Sequence, residues 1–116
     1  MGLNLYRGSA HRGTVTLDHG GAVVVADQGA TGEVFVSVHP RSVVLHAEDP
    51  GGSPRNHFAG TVGDVDALAD RVRVRIEGPV TIVAEITTAA AHELGIAPGA
   101  PVVASVKATE VGVYPA

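Results

Sequence analysis

Cysteine and tryptophan are absent from the 116 residues, and there is a single lysine, Lys107. Without thiols the chain has no disulfide, no thiolate metal site and no cysteine nucleophile, and it suits a reducing compartment. Aromatics make up 3% of the residues, which excludes the stacking platforms that hold single-stranded nucleic acid. Eight Lys and Arg face twelve Asp and Glu, a net charge of −4. Such a chain lacks the basic patch on which nucleic-acid binding runs. No apolar run approaches the roughly eighteen residues of a membrane span. The start, Met1-Gly2-Leu3-Asn4-Leu5-Tyr6-Arg7, lacks the basic-then-apolar form of a signal peptide. These absences predict a small soluble cytoplasmic domain with no nucleic-acid partner and no membrane insertion.

What is present is valine, twenty times, punctuated by fifteen glycines. β-Branched runs broken by glycine turns predict an all-β fold. Strands are expected at 14–18, 22–26, 33–38 and 42–47, with Pro40 at an edge or strand end because it has no N–H for a ladder. Glu48-Asp49-Pro50-Gly51-Gly52-Ser53-Pro54 is acidic, rich in Gly and Pro, and apolar-free, so it reads as a linker. It predicts two units, an N-terminal β-lobe over 1–49 and a second domain over 53–116. In the second, strands are expected at 56–65, 71–76 and 79–86, the 71–76 segment setting three arginines outward on a solvated ridge. Thr87 or Thr88 caps a short helix over 89–94 that Gly95 stops, and one long strand fills 102–113.

The two units echo each other. The stretch from Val34 to Val43 lies over that from Val102 to Val111 with four identities in ten, and Gly13-Thr14-Val15 matches Gly60-Thr61-Val62. A pair of five-stranded barrels of the oligonucleotide/oligosaccharide-binding (OB) type would account for this, and so would one irregular β-sandwich with chance matches between its valine-rich strands.

Few residues offer chemistry. Lys107 lies in an apolar strand beside Ser105 and Thr109, either solvated or aimed at an anion. Ser53-Pro54-Arg55-Asn56 places a hydroxyl, a forked guanidinium, an amide and backbone N–H groups within four residues: an ordinary turn, or an oxyanion cradle. Thr87-Thr88 sits at a helix start, where hydroxyls cap the helix whether or not an anion binds. The six histidines lack the spacing of a metal site on one element, so no metal ligands are expected. There is no G-x-x-x-x-G-K-[ST] loop for nucleotide phosphates and no G-x-S-x-G nucleophile elbow, so no catalytic residues are assigned.

In order, the second unit contains Ser53-Pro54-Arg55-Asn56, Gly60-Thr61-Val62, Val72-x-Val74 and the stretch from Thr81 to Thr87. Glu93-Leu94-Gly95-Ile96-Ala97-Pro98-Gly99 and the closing Val106-Lys107-Ala108-Thr109-x-Val111 complete the series. This resembles the molybdenum-pterin-binding-protein (Mop) type of TOBE domain over residues 53–114. Gly2-Leu3-Asn4 with the run from Val36 to Val43 resembles the segment that follows the nucleotide-binding domain in ABC importer ATPases, where Arg usually stands at His39. Together the two units resemble the C-terminal regulatory domain of a molybdate importer ATP-binding subunit.

The resemblance implies an OB-like barrel, preceded by a small β-lobe and carrying one short helix. It implies a homodimer or higher symmetric oligomer that holds molybdate or tungstate at subunit contacts and restrains transport when the anion is plentiful. The family's oxyanion-binding positions fall on Ser53, Arg55, Asn56, Lys107, Ala108 and Thr109, with Thr87 and Thr88 offered by a neighbouring copy. Many members have Ala where this chain has Pro54, which removes one backbone donor. Through a parent protein, the implied partners are the ATPase nucleotide-binding domain and the membrane permease at the inner face of the plasma membrane. A free-standing molybdate store and a dimerisation module without an anion site are the competing readings. The first lobe argues against the store, since stores of this type can be built from the 53–114 unit alone.

Overall fold

The computed structural model describes residues 2–52 and 55–116, with Arg55 described by its backbone only. Ten strands are present among them: β1 (Asn4–His11), β2 (Thr14–Leu17), β3 (Ala22–Val24), β4 (Gly32–Val38), β5 (Val44–His46), β6 (Arg55–Leu68), β7 (Arg71–Glu77), β8 (Ile82–Thr87), β9 (Pro101–Lys107) and β10 (Val111–Pro115). One helix, α1 (Thr88–Leu94), and two 3-10 turns, Pro40–Ser42 and Ala108–Glu110, complete the list. The fold is all-β with one short helix, as the valine and glycine pattern predicts.

The strands form two antiparallel sheets in the orders β10-β4-β1-β2-β3 and β5-β9-β6-β7-β8. These orders are the same pattern twice. β1, β2, β3 and β4 correspond to β6, β7, β8 and β9, each set is followed by a 3-10 turn, and each turn leads to a last strand. That last strand is exchanged: β5 pairs with β9 in the second sheet, and β10 pairs with β4 in the first. The sheets therefore do not divide at the 48–54 linker.

Two glycines fix the correspondence. A side chain at Gly8 would strike the carbonyl of Thr16 and the side chain of Val15, and one at Gly60 would strike the carbonyl of Glu77 and the side chain of Ile76. Gly8 is thus the counterpart of Gly60, which corrects the expected match of Gly13 to Gly60. The match of 34–43 to 102–111 holds in space, since both stretches run from the fourth strand of a set through the 3-10 turn.

Three expected elements differ. β1 was not anticipated. The long strand over 102–113 is two strands broken by the Ala108–Glu110 turn, and the strand expected at 42–47 shrinks to Val44–His46 because residues 40–42 coil into a turn that starts at Pro40. Pro at the first position of that turn gives up an N–H that would have had no ladder partner.

The core is built from inward residues of both sheets: Val15, Val23, Val34, Val36 and Val38 from the first, and Val62, Val74, Ile76, Ile82, Ala84, Val102, Ala104 and Val106 from the second. Each such valine contributes on the order of 1.5–3 kcal/mol by burial. The α1 helix follows its sequence signals: Thr87 Oγ1 accepts from Ala90 N at 3.1 Å, and Gly95, at φ 63°, closes the other end. No helix among the described residues is long and apolar enough to cross a membrane.

Candidate functional site

The antiparallel register of β6 and β9 sets Arg55 opposite Lys107, Asn56 opposite Val106 and His57 opposite Ser105. Two motifs far apart in the chain are thereby brought to the same end of one strand pair. Ser53 and Pro54 lie outside the described residues, as does the side chain of Arg55.

Lys107 ends β9 and is exposed; in the turn that follows, Ala108 is buried and Thr109 is exposed. The turn is closed by Val111 N–H donating to Ala108 O, and the side chain of its N-cap residue, Lys107, makes no capping bond. Lysine has no acceptor with which to do so. A turn start that its own N-cap side chain does not cap, beside an ammonium group, is a natural seat for an anion.

Over this end of β9 opens a cleft of about 390 Å³ lined by Arg41, Ser42, Val44, Ser105, Lys107 and Glu110. Arg41 and Ser42 come from the first repeat and were not among the predicted site residues. A signal for them existed: in the 34–43 to 102–111 match, Arg41 lies over Thr109. Ser105, on the opposite face of β9 from Val102, Ala104 and Val106, is nevertheless 1% exposed, and His46 Nε2 lies 2.8 Å from its Oγ. Asp49 of the linker is tied to this end of the sheet, its Oδ1 3.0 Å from His57 Nδ1.

Asn56 is placed at the site but spends its amide elsewhere. Its Oδ1 accepts from Val24 N at 2.7 Å, and its Nδ2 donates to Val24 O at 2.9 Å and to Val106 O at 3.4 Å. It is 5% exposed. The amide therefore ties β3 to β6 and β9. Asn4 does the same in the other repeat, exchanging 2.8 Å bonds with both backbone groups of Val83 and donating to Val38 O at 3.2 Å.

The strand register does not bring Thr87 and Thr88 beside Lys107. Thr87 pairs with Arg71, which pairs with Leu68, at the opposite end of the 14-residue β6 from Arg55.

The arginine ridge is not uniformly solvated. Arg71, Arg73 and Arg41 converge on Glu85 of β8, with Arg41 Nε at 3.1 Å, Arg73 NH1 at 3.9 Å and Arg71 Nε at 4.0 Å; only Arg75 stays apart, 3.6 Å from Glu77. The bond from Arg41, helped by the charges of all three guanidinium groups, holds the Glu85 carboxyl below its ordinary range against the opposing effect of desolvation. Among the described residues, no three His, Asp or Glu side chains gather in a way that could hold a metal ion.

Comparison with known proteins bears on the whole arrangement. The TOBE domain family model matches residues 52–113. The molybdenum import ATP-binding protein ModC of Mycobacterium tuberculosis is 43% identical over 91 residues, 74% of this chain and 25% of ModC. The molybdate/tungstate import ATP-binding protein WtpC of Pyrococcus abyssi is 31% identical over 99 residues, 84% of this chain and 29% of WtpC. The chain thus spans little more than a quarter of the length of these relatives. In structure it is similar to the cytoplasmic molybdate-binding protein ModG, solved with molybdate bound, with a TM-score of 0.81 and 25% identity over 97% of this chain and 96% of that one. A ModG chain that both repeats match removes the first lobe as an argument against a free-standing binding protein. With the family model spanning more than half of its residues, the chain belongs to the TOBE domain family.

Proposed function

We propose that this chain is an oxyanion-binding regulatory domain, taking molybdate or tungstate beside Lys107 and, in a parent importer, restraining transport when the anion is abundant. The observation that carries the reading is the register that sets Arg55 opposite Lys107, at a turn that Lys107 does not cap. A tetrahedral dianion leaving water needs opposing charge and many donors. Arg55 and Lys107 supply the charge, and Ser53 with the Ala108 and Thr109 backbone supplies donors. Asn56 serves by holding the strands, its amide already engaged. A unit charge pair about 4 Å apart contributes roughly 4 kcal/mol at intermediate dielectric before desolvation.

Thr87 and Thr88, at the other end of β6, serve such an anion from a second copy, with the site at a contact in a homodimer or higher symmetric oligomer. Binding, with no covalent chemistry, is the whole activity of this chain. The ATPase nucleotide-binding domain and the permease are its partners through the parent protein. The full-length likeness to ModG favours a second reading, a free-standing molybdate-binding protein with the same site. Titration calorimetry with molybdate, tungstate and sulfate tests the shared part: the first two bind and sulfate binds far more weakly. Failure of both to bind leaves only a structural dimerisation module. Suppression of ATP turnover in an ATPase carrying this domain, on adding molybdate, separates the regulatory reading from the store.

A further inference from the structure

Glu85 holds more positive charge than it needs. Three guanidinium groups lie within 4.0 Å of one carboxylate that is 13% exposed. Arg71 and Arg73 are fixed on the neighbouring β7 and are the more buried of the three, at 33% and 25% exposure; Arg41 is 59% exposed. Arg41 comes from the 40–42 turn, which packs on β8 and is pinned by its buried Pro40 and by the bond from Arg41 N to His39 Nδ1 at 3.1 Å. The backbone is anchored, and the side chain, held at Glu85 through Nε, is otherwise mostly exposed. The same Arg41 lines the cleft that contains Lys107, and it meets Glu85 through Nε.

If Arg41 turns away, Arg71 and Arg73 still neutralise Glu85, so no charge is stranded. What is lost is one exposed ion pair, of the kind that contributes little. A dianion in the cleft offers Arg41 two negative charges in place of a shared one, with the geometry for a bidentate contact. Turned into the cleft, the Arg41 guanidinium also offsets the cleft's own carboxylate, Glu110.

We propose that Arg41 is an exchanging ligand, paired with Glu85 when the cleft is empty and turned to a tetrahedral oxyanion when one is bound beside Lys107. This rests on the reading of the Lys107 cleft as an oxyanion site. It gives the first repeat a direct sensor of an anion held by the second, since the exchange loosens the contact between the 40–42 turn and β8.

Calorimetric titration of molybdate into the parent, Arg41→Ala, Glu85→Gln, the double variant and Lys107→Ala tests it. Arg41→Ala is expected to weaken binding about tenfold, the worth of one charge-assisted contact. Glu85→Gln removes the competitor and is expected to tighten binding about threefold, a gain that vanishes in the Arg41→Ala background. A gain from Glu85→Gln that persists without Arg41 is a field effect of the removed charge and overturns the exchange. So does an Arg41→Ala affinity within about twofold of the parent while Lys107→Ala loses binding, which leaves the site standing without the exchange. A parent that binds neither molybdate nor tungstate overturns the site and the exchange together. As a readout independent of affinity, the Arg41 Nε–Hε NMR signal should shift on molybdate addition toward its position in Glu85→Gln; an unmoved signal at saturation also overturns it.

Discussion

The same turn occurs twice in this molecule with opposite chemistry. In the first repeat, His39 Nδ1 accepts the N–H of Arg41, and position 40 is a proline with no N–H at all. In the second, the counterparts are Lys107, which cannot accept, and Ala108, which keeps its N–H. The backbones agree closely: His39 has φ −69° and ψ 133°, Lys107 has φ −69° and ψ 141°. One scaffold thus gives a turn capped by its own N-cap side chain and a turn whose N-cap residue is a cation that makes no capping bond. The difference between a structural corner and a candidate anion seat lies in two side chains, and the fold is indifferent to it.

The largest expected effect breaks that asymmetry at its charge. In the proposed complex the anion is enclosed at a subunit contact, where removing one partner of a charge pair costs about 2–5 kcal/mol of binding, so Lys107→Ala or Arg55→Ala should weaken molybdate affinity at least roughly 30-fold in calorimetry. Arg75→Ala, at a screened pair with Glu77, should stay within about threefold.

Next come the two asparagines, which test the likeness of the repeats. Each unites three backbone groups across the two sheets, and truncation strands them. Asn4→Ala and Asn56→Ala should each lower unfolding free energy by about 1–3 kcal/mol in urea titrations. Similar losses support equivalent roles; a loss confined to one would show that only one strut matters.

Grafting the first turn's chemistry onto the second is a smaller step. Ala108→Pro deletes one N–H at a backbone that already accepts proline in the other repeat. Affinity for molybdate should fall about tenfold with melting temperature little changed.

The smallest effect concerns Glu85. Its carboxyl is held below the ordinary value of 4.5, chiefly by the Arg41 bond. The folded state is therefore favoured above pH 4.5, and this contribution is lost as pH falls through the depressed value. Melting temperatures followed from pH 7 to about pH 3 should fall more steeply in the parent than in Glu85→Gln.

Most of the fold was legible because valine alternation and glycine turns mark strands directly. β1 was not, because its inward face is Asn4, Tyr6, Gly8 and Ala10, which no hydrophobicity pattern picks out. Asn4 is there to bond across the sheets, and Gly8 to let β2 approach. The break after Lys107 was missed because Ala108-Thr109-Glu110 holds neither proline nor glycine; only its counterpart at Pro40 announces it. At the site, the meeting of Arg55 with Lys107 followed from recognising two motifs of one family. The engagement of Asn56 did not, since a short sequence run does not tell which backbone its amide will meet. Nor did the convergence on Glu85, which depends on β7, β8 and a turn from the other repeat.

The exchanged last strands have a consequence for how the chain is made. The edge of β4 that β10 covers has no partner from its own half, because β5 goes to β9. On a ribosome that edge stays open until residues 111–115 emerge, about 70 residues after Val38, or roughly 4–15 s at 5–20 residues per second. For that interval the nascent first half presents a row of unpaired backbone groups to any neighbouring chain. Two chains translated side by side could satisfy each other's open edges with the wrong copy of β10, so crowded synthesis should favour intertwined pairs that slow dilution does not undo.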